Sequence, residues 1–358
     1  MSKVTKGTIA TTILASSVLL TGCGLFGGEE VKKIDPPKAV SYVEDAESLD
    51  KSEDKGKAEQ TSNKEAAQGT VKTELYLIDK NGYVVPQTMA LPKLEGVAKQ
   101  ALEYLVSNGP VEEMLPNGFR AVLPAGTEVN VNIKNGEAIA DFSKEFSEYK
   151  AEDEERILQA ITWTLTQFDS VKKVKLRING HDVNEMPVNG TPVSEGVTRA
   201  HGINLDVQNV ADITNTKALT VYYIGGEEDN YYYVPVTRRV SETKKDNVAA
   251  AIDELVKGPS YASSLENLFM PDVKLVDTPK VADGKVTLNF NESISGSFKE
   301  KNKVSSQMLD ALVLSLTEQP GIESVEIKVN GKAELVKEDG KPLSEPVMRP
   351  EKVNTGSF

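Results

Sequence analysis

Val174-Lys175-Leu176-Arg177-Ile178-Asn179-Gly180 alternates apolar and charged residues and then stops on Asn-Gly, and Val325-Glu326-Ile327-Lys328-Val329-Asn330-Gly331 does the same in the second half of the chain. Such alternation is the signature of a strand with one buried and one wet face. Asn-Gly is the strongest short hairpin signal, because both loop residues of a type I′ turn need positive φ. Working outward, the two copies stay in step. Gly136-Glu137-Ala138-Ile139-Ala140-Asp141-Phe142 answers Gly284-Lys285-Val286-Thr287-Leu288-Asn289-Phe290. Leu105-Val106-Ser107-Asn108-Gly109-Pro110 returns one residue shorter as Leu255-Val256-Lys257-Gly258-Pro259. Asn189 to Glu195 returns as Asp339 to Glu345, with Arg199 answered by Arg349. Ordered matches of this kind mark an internal duplication.

Each copy carries two helical stripes. Leu94, Val97, Ala98, Ala101, Leu102 and Leu105 have the spacing of one apolar helix face, as do Val248, Ile252, Leu255 and Val256. The Gly-Pro pairs predict where these helices stop. A second helix runs through Ile157, Leu158, Ile161, Leu165 and Phe168, and again through Met308, Leu309, Leu312 and Leu316, with Glu152 to Glu155 as a charged first turn. Val129, Val131 and Ile133 alternate with Asn130, Asn132 and Lys134 as a further strand. The expected fold class is α/β (α+β): tandem duplicated two-layer sandwich domains, each about ββαββαβ(β), with two helices on one face of a mixed sheet. The boundaries read 71–200 for the first domain, 201–213 for a linker, 214–350 for the second domain and 351–358 for a tail.

The N-terminus has its own grammar. Lys3 and Lys6 precede an apolar run from Ile9 to Leu20 that is too short for a permanent span, which is the pattern of a secretion signal. It ends Leu20-Thr21-Gly22-Cys23, similar to a bacterial lipobox, so residues 1–22 are expected to be removed and Cys23 acylated. Two or more acyl chains anchor stably where one does not. Residues 23–70 are the lipidated end and a charged tether with Pro36-Pro37 and no apolar period. The chain is therefore expected on the extracytoplasmic face of the cell membrane. With 41 Lys+Arg against 54 Asp+Glu the net charge is -13, which disfavours a nucleic-acid partner. One Cys and two His leave no disulfide pair and no Cys/His zinc set.

The lipobox, the charged tether and the duplicated unit, with its Gly-Pro helix stop, its Gly-x-x-x-x-[Asp/Asn]-Phe strand and its closing Pro-x-Ser-Glu at 192–195 and 342–345, resemble the GerMN-domain lipoproteins of sporulation and spore germination. The resemblance covers almost the whole body. It implies a non-enzymatic envelope protein without cofactors, facing the space between mother cell and forespore. Its partners would be other sporulation envelope proteins or further copies of itself. It also implies likeness to the ring-building domains that pack side by side in membrane-associated rings.

No catalytic constellation competes with that implication. Gly-x-Ser-x-Gly, His-Glu-x-x-His and the phosphate-loop motif are all missing from the sequence. Asp141 is answered by Asn289 and His181 by Lys332, so neither pair keeps one chemistry. Three features remain as candidate interfaces. On a helical wheel Trp163 points opposite the apolar stripe, and its counterpart is Leu314; in a two-layer sandwich that back face meets solvent or a partner, with packing against loops or the sister domain as the alternative. Tyr222, Tyr223, Tyr231, Tyr232 and Tyr233 offer either cross-strand packing or an aromatic platform for peptidoglycan or a peptide. Lys173, Lys175 and Arg177 line a wet sheet face where the second copy has Ser324, Glu326 and Lys328. Such unlike faces suit head-to-tail contact.

Overall fold

The computed structural model describes residues 69–355 apart from 208–213, 228–229, 245 and 301. Cys23, the signal segment and the tether up to residue 68 lie outside the described residues. The first repeat runs β1 (Thr70–Asp79), β2 (Val84–Pro92), α1 (Val97–Glu103), β3 (Phe119–Arg120), β4 (Val129–Lys134), β5 (Glu137–Phe142), α2 (Glu154–Leu165), β6 (Lys173–Ile178) and β7 (His181–Asp182). The second runs β8 (Thr216–Glu227), β9 (Asn230–Ser241), α3 (Asn247–Lys257), β10 (Lys280–Ala282), β11 (Lys285–Phe290), β12 (Lys303–Val304), α4 (Ser306–Thr317), β13 (Ser324–Val329), β14 (Val336–Lys337) and β15 (Val347–Met348).

Each repeat holds the expected mixed sheet. The orders are β4-β5-β6-β7 and β10-β11-β13-β15, with β5/β6 and β11/β13 parallel and the other neighbours antiparallel. Their alternation is read directly from sequence: Ala138, Ala140 and Phe142 face inward from β5, and Val286, Leu288 and Phe290 from β11. Asn179 and Gly180 both take positive φ, 49° and 77°, and Arg177 and Ile178 pair across the loop with Asp182 and His181. The Asx position on the neighbouring strand fastens that loop. Asp141 Oδ1 accepts the Gly180 N–H at 2.9 Å, and Asn289 Oδ1 accepts the Gly331 N–H at 2.8 Å. Either residue type supplies that oxygen, which is why the two copies differ there.

The first hairpin of each repeat forms a layer of its own. β1 pairs with β2 and β8 with β9, and neither hairpin joins the four-stranded sheet. Instead α2 is held between β1 and β6, and α4 between β8 and β13. Each helix is thus covered on both sides. This corrects the expectation that Trp163 and Leu314 face solvent or a partner: they are 1% and 0% exposed. Two helix ends also differ from expectation. Leu94 is exposed and precedes α1, which ends at Glu103 well before Gly109. α3 ends where predicted, on Gly258 at φ 78°, and starts on Asp246, whose carboxylate accepts the Val248 and Ala249 amides.

Candidate functional site: the seam between the repeats

The edge strands β2 and β9, one from each repeat, lie beside each other. Pro86 and Pro235 stand at equivalent points on them, each opposite a tyrosine, Tyr76 and Tyr222, on its hairpin partner. Proline has no N–H to give a ladder. Side chains close the gap instead. Asn204 Nδ2 donates to the Val84 and Pro235 carbonyls at 2.7 and 2.8 Å, and its Oδ1 accepts the Val84 N–H at 2.8 Å. Asn354 repeats this with Tyr233 and Pro86: Nδ2 donates to both carbonyls at 2.8 Å and Oδ1 accepts the Tyr233 N–H at 2.8 Å. The flanking contacts are reciprocal too. Thr237 N–H donates to Ile203 O at 2.8 Å, as Thr88 N–H donates to Val353 O at 3.0 Å. Ile203 and Val353 are buried. The stretches read from sequence as linker and tail therefore begin inside the fold, each clasping the other repeat's hairpin.

Beside these staples lies a cleft of about 350 Å³, lined by Lys72, Glu74, Arg199, Glu318 and Arg349 among others. Arg199 donates to Thr166 Oγ1 at 2.9 Å and Arg349 to Thr317 Oγ1 at 3.4 Å, at equivalent places in the two repeats. The symmetry breaks at one position. Repeat one has Gln167, which bonds the Glu74 backbone in both directions, at 2.9 and 2.7 Å. Repeat two has Glu318, and both arginines converge on it, Arg199 in a very short contact and Arg349 at 3.5 Å. Burial works to raise the Glu318 carboxyl, but Arg199 and Arg349 outweigh it and hold it below its ordinary 4.5. The Arg199 guanidinium also sits 4.3 Å from the Trp163 ring centroid. The two arginines are matched by Glu318 and by Glu74, 3.9 Å from Arg349, so this group of charges works as a lock.

The remaining candidates fall into two groups. Trp163 Nε1 donates to Gly202 O at 3.3 Å and its ring packs on Tyr76 at 5.7 Å, so the indole is part of the seam. Leu314 packs with Tyr222, Ile224, Tyr233 and Val353. Tyr222 and Tyr233 are buried, their hydroxyls bonding Glu318 at 3.4 Å and Asp310 at 3.3 Å, and Tyr231 stands edge-on against Tyr233, half-buried. The tyrosine platform is corrected accordingly: strand alternation aims these rings at α4, where burial rewards them. Lys173, Lys175 and Arg177 do lie on the wet sheet face, with Lys175 3.5 Å from Glu137 and Arg177 2.6 Å from Asp182. On the second sheet Glu326 instead takes Lys285 and Lys328, so the faces are unlike.

Residues 74–184 and 220–335 each match the Germane family, described as sporulation and spore germination. The chain belongs to that family. Over 366 residues it is 57% identical to the spore germination protein GerM of Bacillus subtilis, covering 100% of both chains. The solved tandem GerMN domains of the sporulation protein GerM from that organism superpose with a TM-score of 0.76 at 61% identity, over 80% of this chain and 100% of that one. This is therefore a protein of sporulation and spore germination, in a family of non-enzymatic kind. The Germane matches stop short of Arg199, Asn204, Arg349 and Asn354, which make the seam.

One Germane-repeat feature went unread in the sequence. Glu154, expected as a helix-dipole charge, is fully buried and accepts the amides of Val188, Asn189 and Thr191 and the hydroxyls of Thr191 and Tyr149, at 2.6 to 3.1 Å. The second repeat has Ser305 at that place and anchors the equivalent loop by pairing β12 with β14. Burial pushes the Glu154 carboxyl up, but these donors outweigh it and hold it below 4.5. A depressed folded pKa means stability that is complete above about 4.5 and is lost as pH falls through the folded value. Glu154→Gln is expected to lower stability by about 2 kcal/mol at pH 7 and to flatten the acid limb, measured as denaturation midpoints from pH 7 to 3.

Proposed function

We propose that the protein is a lipid-anchored, non-enzymatic scaffold of the sporulating cell envelope that docks other envelope proteins or further copies of itself. The observation that carries this reading is the seam. It fixes two repeats as one body, so their outward sheets, one lined by Lys173, Lys175 and Arg177 and the other centred on Glu326, keep a set relation and can meet heterologously in a membrane-associated ring. The Leu20-Thr21-Gly22-Cys23 box supports attachment to the extracytoplasmic face of the membrane, in the space between mother cell and forespore. Peptidoglycan binding has lost its platform with the burial of Tyr222 and Tyr233.

Two measurements test it. Cys23→Ala is expected to move the protein from the membrane to the soluble fraction and to abolish incorporation of labelled palmitate. Amine-reactive cross-linking in sporulating cells is expected to join Lys173 and Lys175 to envelope proteins. Retention of the Cys23→Ala protein on membranes would remove the anchor, and cross-links confined to single copies, reaching neither another envelope protein nor a second copy, would remove the scaffold.

A further inference from the structure

β4 is the outer strand of the first sheet, and its free side has a readable pattern. The Asn135-Gly136 loop, at φ 54° and 82°, closes Lys134 on Glu137, and in such a hairpin the closing pair exchanges both hydrogen bonds. Residues 130, 132 and 134 therefore aim their amides and carbonyls at β5. The bond from Ser143 N–H to Glu128 O, 3.0 Å, keeps that phase. Val129, Val131 and Ile133 aim theirs away from the sheet. Among the described residues no backbone group meets them. Val131 and Ile133 are half-buried, whereas Val129 is 4% exposed, so the accessible part of this edge runs from Val131 to Lys134 and pairing at Val129 requires its cover to move aside.

That edge is complementary to itself. If a second copy is laid antiparallel about Val131, Val129 faces Ile133 in the hydrogen-bonded pairs and the apolar row continues across the join. On the wet face Asn130 meets Asn132, and Glu128 of one copy meets Lys134 of the other, twice. Both are exposed, and neither has an ion-pair partner among the described residues.

The second repeat lacks each of these features. Lys274 takes the place of Glu128, since Asn291 N–H donates to Lys274 O as Ser143 does to Glu128 O. Ala282 takes the place of Lys134, pairing Lys285 as Lys134 pairs Glu137. Val276 N–H still reaches Asn289 O, and Lys280 pairs Thr287, so Asp277-Thr278-Pro279 bulges where repeat one has Val131 alone. A bulge with proline is how sheet edges are closed to pairing. One edge is open and matched to itself, and its duplicate is shut.

We propose that β4 pairs antiparallel with β4 of a second copy, joining two first-repeat sheets into one continuous sheet across a closed two-fold contact. The inference rests on the scaffold reading and supplies one of its partners, a second copy of this chain.

Charge reversal tests the register on full-length protein solubilised from membranes. Glu128→Lys and Lys134→Glu each set like charges against each other twice per dimer. Each is expected to raise the dimer dissociation constant roughly tenfold or more by sedimentation velocity, and the double variant is expected to restore it. Asn130→Cys with Asn132→Cys, a facing non-hydrogen-bonded pair with the short spacing a disulfide wants, is expected to give a covalent dimer on mild oxidation; wild type controls for Cys23. Single reversals without effect, or a double variant that fails to recover, would overturn the pairing. Envelope-protein capture by the lysine face is read in the same cells. Unchanged dimerisation across the charge variants with capture intact discards the strand pairing and leaves the scaffold standing; dimerisation that follows the charges while capture is lost does the reverse.

Discussion

Glu318→Ala is expected to lower stability by about 3 kcal/mol, with a fall in Tm of roughly 6 to 9 °C by calorimetry. One carboxylate with 9% of its side chain exposed balances two arginines, Arg199 and Arg349, that are 30% and 25% exposed. Breaking a buried pair leaves an uncompensated charge; here that charge is Arg199, because Arg349 keeps Glu74 at 3.9 Å. The partial exposure of the guanidiniums keeps the figure at the low end of that range. Glu318→Gln should fall in between, because the amide still accepts a hydrogen bond but loses its charge; it restores the residue that repeat one carries at Gln167. Replacing Arg199, Glu318 and Arg349 together by Met separates charge from packing. If uncompensated charge is the cause, the triple variant should lose much less than Glu318→Ala. The pH dependence has a definite sign. Because the Glu318 pKa is depressed, its contribution is present above about 4.5 and is lost as pH falls through the folded value.

Much of this architecture is legible in one dimension, and the rest fails for identifiable reasons. Val174 to Gly180 predicts β6, the loop and β7 because a period of two and an Asn-Gly pair are local properties. Trp163 was misplaced by a correct wheel. The indole does point away from the sheet, but the wheel carries no information about the hairpin β1/β2 that lies on that side, since hairpin and helix meet only in tertiary structure. The tyrosines of β8 and β9 failed likewise: alternation says that successive rings face opposite ways, and α4, α3 and Asp79 of the first repeat decide that both ways are buried. Asn204 and Asn354 were missed because each looks like an ordinary polar residue in a connecting stretch. A signal was present. Asn204 and Asn354 each stand five residues after the matched Arg199 and Arg349, so the repeat itself continues through them.

Those asparagines carry the other large effect. Asn354→Ala strips partners from the Tyr233 amide and from the Tyr233 and Pro86 carbonyls, all in the seam, and should lower stability by about 3 kcal/mol. Alanine must also hold φ 55°, which adds roughly 1 kcal/mol. Asn354→Gly removes only that second cost, so the difference between the two variants isolates backbone strain from lost bonds. Asn354→Asp is the sharper test of polarity. Its carboxylate still accepts the Tyr233 N–H but turns a second oxygen toward two carbonyls that need a donor. Protonation supplies a donor again, so this variant is expected to gain stability relative to wild type as pH falls through the raised pKa of the new carboxyl, opposite in sign to Glu318 and Glu154. Asn204→Ala should cost a similar amount through Val84 and Pro235. Because the two staples sit at opposite ends of one proline-interrupted junction, losing one strains the other. The double variant is therefore expected to fall short of the sum of its parts. The wild type is expected to unfold in one thermal transition by calorimetry and the double variant in two, one for each repeat released from its clasp.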